Sequence, residues 1–263
     1  MSNVLIETLE DGLLTLTFNR PERRNALNPE ILDALVDAAA RAATNPAVTV
    51  VMLTGAGGTF CVGGDVKAMA TREAAPIAVD DRTEDLRRKM EAARLLHEMR
   101  KPTIAAIEGA AAGAGLSLAL ACDLRLANRS AKLTTAFVKV ALSGDFGGTY
   151  FLTKLLGSAK ARELYLTSPI LSADEALQIG LLTRVLDDAG FQDAARSYAM
   201  TLARGPRLTL GSIKHNLNLA EYAPLAACLD NEAANHVRAS TTEDHREAAA
   251  AFVEKRQPVF KGR

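Results

Sequence analysis

The sequence predicts a layered fold of the α/β or α+β class. Short apolar strands alternate with helical segments over most of the chain, and turns rich in small residues connect several of them. No strand pattern follows Arg204, so the last ~60 residues read as helices added after the sheet layers. We therefore predict a core over residues 1–203 and a C-terminal helical region over 204–263.

Composition limits the class of protein. The 263 residues are 48% hydrophobic and 24% charged, which is typical of a globular protein with a buried core. The formal net charge is zero, so we expect neither binding to nucleic acid nor attraction to a membrane surface. The N-terminus lacks the pattern of a secretion signal, and no segment reaches the roughly 18 apolar residues of a membrane helix. We expect a cytoplasmic protein.

Cysteine and histidine spacing predicts no metal centre. Cys61, Cys122 and Cys228 are far apart and fit buried thiols that act as small apolar side chains. The histidines lie in predicted helices without a serine elbow or a carboxylate partner at diagnostic spacing, so a hydrolytic triad is unsupported. A dinucleotide-binding fingerprint is excluded because Leu118 stands where its third glycine belongs.

The chain opens with a predicted hairpin and helix. Apolar runs at 4–9 and 13–18 flank Asp11-Gly12, which is a typical two-residue hairpin turn. A helix then begins at Asn28-Pro29, where asparagine caps it and proline suits the first helical position. A β-branched run at 49–53 predicts the next strand.

Two glycine-bearing turns follow, each leading from an apolar run into a helix. The first covers 60–69, and a mobile loop at 71–79 and an amphipathic helix at 80–100 are predicted after it. The second lies between a strand at 103–107 and a helix at 116–121. Its small residues let a ligand approach backbone N–H groups at a helix start, which suggests an anion or oxyanion site. Tight packing of helix on sheet without a ligand is the alternative.

The remaining elements are strands and then helices only. Strands are predicted at 124–127 and 132–135, and a glycine-rich turn at 143–149 follows them. Helical patterns then occupy the rest of the chain, at 150–166, 173–180, 193–204, 209–222 and 224–253.

Asp145 has two interpretations. It lies in a glycine-framed turn directly after three apolar residues, 140–142, so it could cap the helix that begins near Gly147. It could also be a carboxylate with a raised pKa in an apolar pocket, suited to proton transfer. Arg23 and Arg24 are similarly open, as ordinary surface charges or as phosphate ligands.

An ordered set of motifs resembles the crotonase superfamily, the enoyl-CoA hydratases and isomerases. The motifs span essentially the whole chain and are Asn19-Arg20-Pro21, Asn25-Ala26-Leu27, Phe60-Cys61-Val62-Gly63-Gly64-Asp65, Lys101-Pro102, Gly109 to Gly115, Cys122-Asp123, Gly147-Gly148-Thr149, Ala176, Gly180-Leu181 and Phe252 to Arg256. The resemblance implies a spiral of ββα units and a C-terminal helical trimerisation region, with trimers often paired into hexamers. It also implies an acyl-CoA substrate and no separate cofactor.

The resemblance also assigns roles to residues. The thioester oxygen is expected to accept hydrogen bonds from the N–H groups of Gly64 and Ala114. Coenzyme A contacts are expected at Arg24, Ala26, Leu27, Gly64, Asp65, Val66, Ala114 and Phe137, and also at Phe252 and Lys255, which can reach the adenine end from a neighbouring subunit.

Two departures from the family pattern decide the expected chemistry. Family hydratases use two glutamates, and those positions are Ser117 and Phe137 here. Asp145 matches the aspartate of family isomerases that act on unsaturated or epoxidised acyl-CoAs. One carboxylate can take a proton from one carbon and return it to another, so we expect an isomerase. A hydratase-like or lyase-like enzyme using Asp145 and water, and a weakly catalytic CoA-binding member, are the alternatives.

Overall fold

The computed structural model describes residues 4–71 and 78–263. The strands are β1 Leu5–Glu10, β2 Leu13–Phe18, β3 Val50–Gly55, β4 Thr103–Ile107, β5 Ala110–Ala112, β6 Leu124–Asn128, β7 Lys132–Thr134, β8 Leu171–Ser172 and β9 Arg184–Leu186. The α-helices are α1 Pro29–Thr44, α2 Val66–Thr71, α3 Val79–Lys89, α4 Glu91–Glu98, α5 Ala114–Leu120, α6 Gly148–Thr167, α7 Ala173–Gln178, α8 Phe191–Ala203, α9 Arg207–Ala220, α10 Leu225–Ser240 and α11 Glu243–Glu254. Short 3-10 helices lie at Pro21–Arg23 and Phe137–Val140.

Two sheets organise the core. The larger has six strands in the order β1-β2-β3-β4-β6-β9, and the smaller has three in the order β5-β7-β8. The predicted hairpin is confirmed, because β1 and β2 pair antiparallel with Leu9 opposite Leu14. From β2 to β9 the neighbouring strands of the larger sheet run parallel.

The predicted ββα units are visible in this topology. In the middle units the first strand joins the larger sheet and the second joins the smaller one, after which a helix returns, as in β4-β5-α5 and β6-β7-α6. In the unit that begins with β3, Cys61 takes the place of the second strand, because it forms an isolated parallel bridge with Ala111 of β5. The spiral of ββα units is therefore confirmed.

Some elements differ from the sequence expectation. Strands β5, β8 and β9 were not predicted, because each has only two or three residues and carries no alternation over that length. The single helix expected over 80–100 is two helices that meet at Met90, and the helix over 224–253 ends before Thr242, whose side chain caps α11. The loop expected at 71–79 lies mostly outside the described residues.

The C-terminal region is helical as predicted, and a buried lysine attaches α9 to the core. Lys214 Nζ lies 2.8 Å from Asp123 Oδ2 and donates to the carbonyl oxygens of Leu96 at 2.8 Å and Lys101 at 3.1 Å. Asp123 also accepts from the Thr103 N–H at 2.6 Å. This network links α9 to the ends of α4, β4 and α5. Its role in oligomerisation stays a prediction.

Replacing Lys214 by methionine (K214M) is expected to lower the free energy of unfolding by about 2 to 4 kcal/mol, because it leaves two carbonyls and a carboxylate without their cation. The matched control is Lys160→Met, which removes an exposed pair with Glu163 and should cost at most about 1 kcal/mol. Denaturant unfolding of both variants checks this. Equal losses in the two variants would show that Lys214 does not anchor α9.

Candidate active site

The first glycine turn is held against the 3-10 segment that precedes α1. The Leu27 N–H donates to Gly63 O at 2.8 Å, and the Asp65 N–H donates back to Leu27 O at 3.2 Å. Asn25 fixes the same segment from inside, since its Nδ2 donates to Ala56 O at 2.9 Å. These bonds hold buried Leu27 against the turn, and buried Ala26 directly precedes it in the chain.

The second glycine turn lies directly against the first. Gly63 has a φ of +85°, and a Cβ added to it would lie 2.8 Å from Ala112 O and 3.3 Å from Ala114 N. A side chain at Gly63 would thus separate the two turns, which need glycine for this close approach. Gly113, at φ +51° and ψ −127°, turns the chain from β5 into α5.

Two backbone donors remain unpaired where these turns meet. In the described part of the chain, no acceptor pairs with the N–H of Gly64 or of Ala114. Ala114 is the first residue of α5, where an N–H has no partner within its helix. The terminal methyl of Met69 lies beside Gly64, 2.6 Å from the point where a Cβ would stand. Two such donors can hold one oxygen atom.

Asp145 is a carboxylate with a buried oxygen that has no hydrogen-bond partner among the described residues. Burial raises its pKa to about 6, close to neutral pH. Its charge acts on Cys61, whose pKa is raised to about 12 mainly by burial and further by Asp145. Because the Gly63 N–H contacts Cys61 Sγ at 3.4 Å, Asp145 is within electrostatic range of the first glycine turn.

The structure decides between the two interpretations of Asp145. Gly147, not Asp145, is the N-cap residue of α6, and no side chain accepts a hydrogen bond there. Only the backbone oxygen of Asp145 takes part, accepting from the Gly148 N–H at 3.1 Å. The interpretation as a helix cap is therefore wrong, and the raised pKa is the one that the structure supports.

The residues at the hydratase glutamate positions are buried. Ser117 is 1% exposed, and its hydroxyl donates to Gly113 O at 3.3 Å. Phe137 is 6% exposed and stacks on the ring of Tyr165, with ring centroids 6.0 Å apart. Sequence reasoning missed Tyr165, because an aromatic residue within a predicted helix carries no signal that separates it from ordinary core.

Of the residues predicted to contact coenzyme A, Arg24, Asp65 and Val66 lie at or beside the first glycine turn. Arg24 is exposed at φ +52°, and its carbonyl accepts from the Val62 N–H at 3.3 Å, so it borders the first glycine turn. Asp65 is already engaged: it accepts from the Ala68 N–H at 3.1 Å and pairs with Arg20 at 3.3 Å, and these partners lower its pKa. Val66 follows at 48% exposure.

Phe252 and Lys255 lie at the end of α11. Phe252 is 85% exposed, so its ring does not pack against the site of its own chain. Lys255 ends the helix at φ +54°. The expectation that both residues serve a neighbouring subunit stays a prediction.

A cavity of about 800 Å³ adjoins the turn that carries Asp145. Phe146, Gly147 and Phe151 line it together with residues of α3, α4 and α9. The rings of His97, Tyr150 and Phe151 are in mutual contact within it, with centroids 5.1 to 6.4 Å apart. The cavity begins one residue beyond Asp145, and neither glycine turn lines it.

Two other classes of site, a metal centre and a membrane-spanning helix, are absent from the described residues. Within 4–71 and 78–263, no three metal-binding side chains come together in a way that could hold an ion. Across the same residues, no helix combines the length and apolar character needed to cross a bilayer.

Comparison with known proteins gives a consistent result over the full length. A model of the enoyl-CoA hydratase/isomerase family matches residues 8–263. The 1,2-epoxyphenylacetyl-CoA isomerase of Escherichia coli K12 is 38% identical over 100% of both chains. The (E)-benzylidenesuccinyl-CoA hydratase of Thauera aromatica is 37% identical over 94% of both. Among solved structures, an enoyl-CoA hydratase from Polaromonas sp. JS666 matches with a TM-score of 0.90 at 35% identity, covering 98% of this chain and 99% of that one.

Proposed function

This chain belongs to the enoyl-CoA hydratase/isomerase family and acts on acyl-CoA, and we propose that it is an isomerase that shifts a double bond through a thioester enolate. Asp145 serves as both base and acid, and Gly64 and Ala114 hold the thioester oxygen. The 1,2-epoxyphenylacetyl-CoA isomerase of Escherichia coli, which is similar over the full length of both chains, supports isomerisation as the class of reaction.

The observation that carries this proposal is the raised pKa of the Asp145 carboxyl. With a pKa of about 6 it is largely ionised at neutral pH yet readily protonated, which suits a group that must accept a proton and return it. Ser117 and Phe137 supply no carboxylate at the two positions where family hydratases carry glutamates. One proton-transfer group is sufficient for isomerisation.

The proposed reaction on a 3-enoyl-CoA balances without a co-reactant. Asp145 takes a proton from C2, and the C–H electron pair moves into the carbonyl, forming a dienolate. The N–H groups of Gly64 and Ala114 stabilise the oxygen anion, each by about 3 to 4 kcal/mol in comparable sites. The protonated Asp145 then delivers the proton to C4, which leaves the double bond between C2 and C3.

Coenzyme A is proposed to lie along the first glycine turn. The exposed guanidinium of Arg24 can meet a phosphate there, and the backbone of Gly64 to Val66 follows the pantetheine arm. The exposed ring of Phe252 and the ammonium of Lys255 would complete the adenine end from a neighbouring subunit of a trimer or hexamer.

Two alternatives remain as test outcomes. A hydratase-like or lyase-like enzyme would use Asp145 to activate water, and the relative named (E)-benzylidenesuccinyl-CoA hydratase favours keeping that reaction in view. A weakly catalytic member would bind CoA without turnover.

Product analysis over a panel of acyl-CoAs in ¹⁸O-enriched water separates the three readings. The panel contains 2-enoyl, 3-enoyl and aromatic acyl-CoAs, and aromatic members come first because two relatives are named for such substrates and because aromatic rings line the adjoining cavity. We expect at least one substrate to give a product of unchanged mass and new retention time. A product heavier by one labelled water would assign the hydratase reaction, and binding without turnover would assign the third reading.

A further inference from the structure

The hydroxyl groups of Ser117 and Tyr165 both lie next to Gly148, beside the Asp145 turn. A Cβ added to Gly148 would lie 2.3 Å from both Ser117 Oγ and Tyr165 Oη. Gly148 is the first residue of α6, while Ser117 lies in α5 and Tyr165 near the end of α6. The two hydroxyls therefore share a site that only a glycine leaves open.

Ser117 connects these hydroxyls to the second glycine turn. Its Oγ donates to Gly113 O at 3.3 Å. Burial raises the pKa of Tyr165 to about 12; the neighbouring Ser117 hydroxyl opposes this rise and the charge of Asp145 adds to it, so the phenol keeps its proton. A run of polar contacts thus leads from Tyr165 through Ser117 to Gly113, the residue before Ala114.

The ring of Tyr165 also lies close to the Asp145 turn. A Cβ on Gly144, the residue before Asp145, would lie 3.1 Å from Tyr165 Cε1. The ring of Tyr165 stacks on that of Phe137 at an interplanar angle of 3°. Phe137 in turn lies 3.9 Å from the Cβ position of Gly113.

We propose that Tyr165 is a positioning residue that fixes the spacing between the Asp145 carboxylate and the Ala114 donor, acting through Ser117 and Gly113. The inference rests on the proposed function. Asp145 can move a proton only while Ala114 holds the thioester oxygen. The distance between the Asp145 turn and the second glycine turn must therefore stay fixed. A displacement of about 1 Å can cost on the order of 100-fold in rate.

The test compares Tyr165→Phe and Ser117→Ala with Tyr198→Phe, a half-buried helical tyrosine whose ring packs on Arg184 away from the site. We expect both site variants to lower kcat by roughly 10- to 100-fold with KM changed less than about 2-fold, and the double variant to lose little more than either single one. The acidic limb of the pH profile should move to lower pH, because a looser turn lets water reach Asp145. Tyr198→Phe should match the wild type.

A second readout does not depend on turnover. Infrared titration of the ¹³C-labelled Asp145 carboxyl, with the Asp145→Asn spectrum subtracted, should show a lower pKa in Tyr165→Phe than in the wild type. A lower melting temperature with unchanged kcat, pH limb and carboxyl titration would overturn the inference. That result differs from failure of the proposed function, in which the wild type is inactive or Asp145→Asn remains fully active.

Discussion

Replacing Asp145 by asparagine (D145N) is expected to lower kcat on an isomerised acyl-CoA by roughly 10²- to 10⁴-fold, the usual contribution of general acid–base catalysis. Asparagine keeps the shape of the side chain but cannot accept and return a proton. KM should change little, because the Gly64 and Ala114 donors and the predicted coenzyme A contacts are untouched. Steady-state kinetics at pH 7 to 8 measures both constants.

The same variant is expected to be more stable than the wild type at neutral pH. Burial raises the pKa of Asp145 to about 6 from the ~3.9 of an unfolded aspartate, so the folded state binds this proton more tightly. The stability that the Asp145 proton adds to the folded state is lost as the pH rises from about 4 through about 6. At pH 8 the ionised carboxylate then costs the fold up to about 3 kcal/mol, which D145N removes.

Denaturant unfolding at pH 4 and pH 8 checks this sign. The gain in D145N should be small at pH 4 and reach its full size above about pH 7. Asp188→Asn is the matched control, because hydrogen bonds from Ser130 lower the pKa of Asp188, and its replacement should be destabilising at pH 8. Undiminished turnover in D145N, or an equal gain at both pH values, would contradict the assignment of Asp145 as a buried proton-transfer group.

Wild-type kcat/KM should fall below about pH 6, since Asp145 must be ionised to take the first proton. This acidic limb should disappear from the residual activity of D145N.

The sequence predicted the features that depend on chain-local patterns. The β1–β2 hairpin follows from Asp11-Gly12 between two apolar runs, and the start of α1 follows from Asn28, whose side chain accepts from the Ile31 N–H. The two glycine turns were predicted because close backbone approach demands small residues. They do meet, since a Cβ added to Gly63 would lie only 3.3 Å from Ala114 N.

The remaining features depend on contacts between distant segments. Strand β5 is a run of three alanines with no strand propensity, and it forms only because β7 and Cys61 lie beside it. The contact between Ser117 and Tyr165 joins residues 48 positions apart on two helices, and neither carries a motif that points to the other. A pattern within one segment cannot reveal such a pair.

Replacing Ala114 by proline (A114P) is expected to lower kcat/KM by roughly 10²- to 10³-fold, as for the loss of one oxyanion donor in comparable enzymes. Proline removes only an N–H that has no partner in the described structure, and it suits Ala114 because the first position of a helix tolerates its ring. Its ring carbon also occupies the space of the lost hydrogen, so the thioester oxygen loses both a bond and its place.

Leu225→Pro is the matched control for A114P. Leu225 is the first residue of α10 and is 73% exposed, so the same change is made at the same helical position away from the site. We expect wild-type kinetics in the control and near-wild-type melting temperatures in both variants, which leaves the change at the oxyanion position, the lost N–H and the ring carbon in its place, as the cause of the lost rate. If A114P turns over substrate at the wild-type rate, the N–H of Ala114 does not stabilise the enolate, and the site must hold that charge with Gly64 and other groups.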